Sequence, residues 1–146
     1  MKATIKQVVE CYKALGDATV STLEESDKIK ILKIRKAMRP MVEEYNAYVK
    51  DVEEKFKFEG IEEADKLRIG AINKWNKDHS YQFSKEEIEA AEKIGKFLES
   101  KSKAENEELS REVEIEFEKL SESAELRIMD ENKWKIKKLE EIEIVL

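Results

Sequence analysis

Side chains that carry specialised chemistry are scarce in this chain. Its 146 residues include one histidine (His79), one cysteine (Cys11) and one proline (Pro40), with four isolated glycines at Gly16, Gly60, Gly70 and Gly95. One histidine cannot supply the two Glu-x-x-His units of a di-metal helical bundle, and one cysteine cannot build a tetrahedral Cys/His zinc site. A single cysteine also rules out an internal disulfide. Scattered glycines form no phosphate-cradling loop. His79 neighbours Asp78, yet no nucleophile-elbow pattern accompanies the pair. No apolar run approaches the ~20 residues of a membrane span, and the first residues lack the apolar core of a signal peptide. The expectation is a non-enzymatic protein with no cofactor, no metal and no membrane partner.

Charge is abundant. Lys, Arg, Asp and Glu make up 42% of the chain and apolar residues 40%, enough for a core under a heavily charged exterior. With 34 acids in 146 residues, carboxylate pairs arise by chance and none is singled out for acid/base work. The net charge of -6 disfavours direct nucleic-acid binding by the surface as a whole.

The chain is organised around Asp27 to Phe58. Ile31, Ile34, Met38, Met41, Tyr45, Val49, Val52 and Phe56 recur at three- and four-residue steps and share one helical face. Such a helix, about 45 Å long, needs a partner along its seam. Pro40 interrupts the hydrogen-bond ladder while the stripe keeps its phase, so the expectation is one kinked helix. Lys28, Arg35 and Arg39 cluster on its wheel with Lys36 at the margin. This basic stripe is either a dock for an acidic partner or phosphate backbone, or a solvated face paired with glutamates.

Ahead of it, Thr4 and Gln7 have capping-box spacing before Ile5, Val8, Tyr12 and Leu15, with Gly16 the expected stop. Beyond Glu59-Gly60, Ile61, Ala64, Leu67, Ala71 and Trp75 mark a further helix. Ser84 and Glu87 then repeat the capping box, with Phe83 and Ile88 at staple positions and a seam of Ile88, Ala91, Ile94, Gly95 and Leu98. The polar run Glu99 to Glu108 is expected to project or fray. Val113, Ile115 and Phe117 alternate with Glu112, Glu114, Glu116 and Glu118, the period of a half-buried strand. Its acidic row either deters edge aggregation or presents a carboxylate ladder to a basic partner. A turn at Ser121–Ser123 would start a second strand around Leu126 and Ile128. From Asp130 to Leu146 the pattern supports two readings, since Trp134 and Ile136 alternate as in a strand while Leu139, Ile142, Val145 and Leu146 repeat as in a helix. The favoured one is a short closing helix capped by Asp130, its apolar tail Val145-Leu146 buried at home or on another subunit.

These features sum to one α+β, mostly α domain. It is an antiparallel helical bundle on one long kinked helix (1–110), with a small β-hairpin and a closing helix (111–146). Leu126, Leu139 and Ile142 would cover the open end.

The order of elements resembles a group of small uncharacterised bacteriophage proteins encoded among virion structural and assembly genes. The matching pieces are Ile5 to Leu15, Lys28 to Phe58, Ser80-Tyr81-Gln82-Phe83, Arg111-Glu112-Val113-Glu114-Ile115-Glu116 and Leu139 to Leu146. The resemblance implies a structural or assembly protein of tail, connector or capsid, located in the virion or the host cytoplasm. Its partners would be other protein subunits, phage virion proteins and further copies of itself. The alternative is a small acidic inhibitor or adaptor of a host nucleic-acid-handling protein. The surfaces available to either are the basic stripe, the acidic row and the C-terminal Val145-Leu146.

Overall fold

The computed structural model describes residues 2–18 and 20–132. Among the described residues helix dominates: five helices accompany one two-stranded antiparallel sheet, an α+β, mostly α arrangement. In chain order these are β1 (Lys2–Thr4), α1 (Ile5–Asp17), α2 (Glu25–Phe56), α3 (Ile61–Lys77), α4 (Lys85–Leu109), β2 (Glu112–Glu114) and α5 (Glu122–Glu131). The chain divides into two compact units. One draws on Met1–Tyr48 and Glu107–Leu146, the other is the continuous stretch Val49–Asn106.

The first unit is built on α1 and the front of α2. Thr4 Oγ1 accepts from the Gln7 N–H at 3.2 Å, and Gln7 Oε1 accepts from the Thr4 N–H at 2.9 Å, so the expected capping box starts α1. Val8, Cys11, Ala14 and Leu15 of α1 share a core with Ile31, Ile34, Met38 and Val42 of α2. Ala3, Leu23, Ile115, Ala124 and Ile128 complete it. Every position of the expected α2 stripe is buried or half-buried, and the helix runs unbroken through Pro40. Gly16 departs from expectation. It lies inside α1, which ends at Asp17 with extended Ala18 as its cap, and the one positive-φ residue among those described is Gly60. What Gly16 supplies is space, since a Cβ there would stand 2.8 Å from Arg35 Nη2.

The C-terminal hairpin is replaced by other structure. β2 pairs with β1 in the register Lys2↔Glu114, Ala3↔Val113 and Thr4↔Glu112, extended by the Ile5 N–H to the Arg111 carbonyl at 2.9 Å. Residues 122–131 are helical instead of extended. Ser121 Oγ accepts from the Ala124 N–H at 3.1 Å, and Ala124 and Ile128, one turn apart, both reach the core. Asp130 therefore sits in the last turn of α5, not at the cap of a later helix, and Leu126 points away from the core. Leu139, Ile142 and the rest of the expected closing helix lie outside the described residues.

In the second unit, Gly60, at φ 82°, caps α3 in the left-handed conformation open to glycine. Ala64 of α3 packs with Ala90 and Ile94 of α4, and Phe58 and Ile61 lie against them. The polar run from Glu99 does not fray, because α4 continues to Leu109 with Lys101 and Glu105 3.8 Å apart across one turn.

Candidate interaction surfaces

The four residues of the basic stripe have different roles. Arg35 is half-buried, its guanidinium 4.3 Å from the centre of the Tyr12 ring, a cation–π contact that ties α2 to α1. Its Nε is buried without a hydrogen-bond partner. Lys28 reaches Glu25 at 3.5 Å, an exposed pair one turn apart. Lys36 and Arg39 are exposed. The sequence reading overlooked Leu32 and Ile29, which lie on this same charged face and stay largely in solvent, Leu32 at 64%. An apolar residue on the arc opposite the apolar stripe of α2 is the signal that finds them.

The acidic row is displayed as its alternation suggests. Glu112, Glu114, Glu116 and Glu118 are all exposed, while Val113, Ile115 and Phe117 pack on the core of the first unit. The regular strand is three residues long because its partner β1 gives way to α1 at Ile5. Glu118 lies 3.4 Å from Lys30, so the end of the row is joined to α2. Val145 and Leu146 lie outside the described residues.

In the second unit the buried face of α4 is rotated from the expected seam. Glu87, Ala90 and Ile94 are buried, whereas Ile88, Ala91, Gly95 and Leu98 are exposed. Glu87 can turn inward because its carboxylate is satisfied. Oε1 accepts from the Tyr81 hydroxyl at 2.6 Å and the Ser84 N–H at 2.9 Å, and Lys74 Nζ stands 3.9 Å from Oε2. The Tyr81 hydroxyl, then the Ser84 N–H, hold this carboxyl below the ordinary glutamate range. The displaced apolar side chains Ile88 and Leu98, with Leu67, Ile72 and Trp75 of α3, remain close to half exposed. Two shallow clefts of about 400 Å³ flank Phe97. One is lined by Lys57, Ile61, Arg68, Ile94 and Leu98, the other by Phe56, Phe58, Lys93 and Lys96.

No protein-family model, curated protein or solved structure matches this chain.

A second satisfied carboxylate belongs to the first unit. Glu131 accepts from the Thr22 N–H at 2.7 Å, from the Thr22 hydroxyl and from the Ser21 hydroxyl at 3.1 Å, while Arg127 donates to the Thr22 carbonyl at 3.1 Å. These bonds fasten the segment before α2 to α5. Cys11 is fully buried, and desolvation pushes its thiol up to about 12, so it is an inert core residue. Among the described residues no group of three or more His, Cys, Asp or Glu could hold a metal ion, and no helix is long and apolar enough to cross a membrane.

Proposed function

We propose that this chain is a non-enzymatic bacteriophage structural or assembly protein, of tail, connector or capsid, that works through protein–protein contacts. The observation that carries the protein–protein part is that several large apolar side chains of the second unit stay close to half exposed. Ile88, Leu98, Leu67, Ile72 and Trp75 stand out among charged neighbours on α3 and α4. Packing them against another protein would take this apolar surface out of water. The phage setting rests on the order of elements and the residues that match it. Val145 and Leu146 extend the proposed contact set.

The test is infection with the reading frame closed by an early stop codon. Incomplete or aberrant particles are the expected result, restored by the wild-type chain and not by a chain carrying Ile88→Asp and Leu98→Asp. Normal particles at normal yield without the protein would refute the assembly reading.

The exposed carboxylates at Glu112, Glu114, Glu116 and Glu118 favour a second reading, an acidic inhibitor or adaptor that imitates a phosphate backbone to a host nucleic-acid-handling protein. Reversing these four charges to lysine separates the two. Mimicry is lost, whereas assembly through apolar packing persists.

A further inference from the structure

Two helices of the first unit carry matching patterns of opposite charge. On α2, Lys28, Leu32 and Lys36 follow one another at four-residue steps and occupy one narrow arc of the helix. On α5, Glu122, Leu126 and Asp130 do the same. In each triplet the central leucine faces away from the core, which α2 meets through Ile34 and Met38 and α5 through Ala124 and Ile128. Leu32 is 64% exposed and Leu126 66%, so neither leucine is covered by the other within one molecule. A leucine with a lysine one turn before it and one turn after it is the complement of a leucine with acids at the same two places.

We propose that the α2 face of one copy of this chain docks on the α5 face of a second copy. Leu32 packs on Leu126, and Lys28 and Lys36 meet the carboxylates of Glu122 and Asp130. Because the turns are equally spaced on both sides, one register satisfies all three contacts together. Half-exposed Ile29, beside Leu32, widens the apolar centre. Lys28 pairs with Glu25 and Asp130 has a contact of its own within the chain; both lie at the surface, where such contacts are weak enough to exchange for intermolecular ones. Every copy carries one face of each kind, so the contact closes as a reciprocal pair of copies or as a ring, or else propagates as a filament. The charged rim makes association sensitive to salt, and the small apolar centre keeps each single contact weak. This inference rests on the assembly reading and names one of its contacts. It uses none of the second-unit residues that the particle test probes, so either can fail alone.

The experiment is sedimentation of the full chain over a concentration series at low and high salt. Wild-type protein is expected to move from the 17.1 kDa monomer to a larger species as concentration rises, with association weakened at least tenfold by high salt. Lys28→Glu with Lys36→Glu makes both faces acidic, and Glu122→Lys with Asp130→Lys makes both basic, so each variant alone remains monomeric. An equal mixture of the two restores complementary faces and recovers the wild-type species. Leu32→Ala and Leu126→Ala, which keep the charges, each weaken association about tenfold or more. A wild-type monomer at every concentration would overturn the proposal, whether residues 133–146 or a different protein cover the leucines. So would an oligomer indifferent to the charge reversals, or a mixture that stays monomeric.

Discussion

Ile34 is fully buried in the core that α2 shares with α1, in one cluster with Cys11, the sole thiol of the chain. Replacing Ile34 with alanine removes three carbons from that core. At ~0.8 kcal/mol per buried methylene, the transfer loss is ~2.4 kcal/mol. If the neighbours do not relax, a hole of roughly 80 Å³ adds up to ~2 kcal/mol at ~24 cal/mol per Å³. At ~1.4 kcal/mol per tenfold, opening of this core should rise roughly 50- to 1,500-fold. Cys11 reports the opening directly. Its thiol is shielded and held protonated by burial, so a thiol reagent reaches it only when the core opens. Where reclosing outpaces labelling, the labelling rate follows the opening equilibrium. Ile34→Ala should therefore accelerate labelling by that factor, whereas Ile69→Ala, at an exposed position of α3, should leave the rate almost unchanged. Wild-type protein labelled as fast as an unfolded cysteine peptide, or no acceleration on Ile34→Ala, would refute the placement of both residues.

Two further perturbations test local features. Gly60→Ala puts a side chain at φ 82°, which costs about 1 kcal/mol net of the entropy removed from the unfolded chain, and thermal unfolding should fall by about 3–5 °C; an unchanged midpoint would contradict the left-handed cap of α3. Donation by the Thr22 hydroxyl, then its N–H, holds the Glu131 carboxyl below its ordinary 4.5. As pH falls the unfolded chain takes up this proton first, so the stabilisation is complete above about 4.5 and disappears as pH drops through the folded value. Glu131→Gln should lower the denaturation midpoint near neutral pH and converge on wild type in strong acid. An equal loss at both extremes would refute this account.

Much of this fold is legible in the sequence where the signal is local. Thr4 with Gln7 and Ser84 with Glu87 form the capping boxes that their spacing suggests, and the apolar stripe from Ile31 to Phe56 is the buried side of α2. The partner of β2 is hidden because Lys2–Thr4 lies more than a hundred residues away and shows no alternation in three residues. Leu126 and Ile128, two apart, resemble a strand, and the deciding pair is Ala124 with Ile128 under the Ser121 cap. The seam of α4 misleads for another reason. Hydropathy counts Glu87 as a surface residue, yet donors from Ser84 and Tyr81 satisfy it, and the helix turns its carboxylate inward and Ile88 out. Of the candidate site, the acidic row is displayed as expected. In the basic stripe Arg35 lies on Tyr12, and the exposed leucine beside it lies off the apolar stripe.

The division into one interrupted and one continuous unit bears on how the protein comes off the ribosome. Val49–Asn106 is an unbroken stretch, all of it translated before β2 and α5. Val8, Cys11 and Ile34 are synthesised before their core partners Ile115, Ala124 and Ile128, which are translated roughly eighty to a hundred and twenty residues later. Until then the apolar sides of α1 and α2 are only partly covered, a window in which a chaperone or a neighbouring nascent chain can engage them. The late arrival of α5 closes that window, and the same helix carries the acidic triplet around Leu126. Completion of the first core and display of that face thus come in a single step, once α5 has emerged.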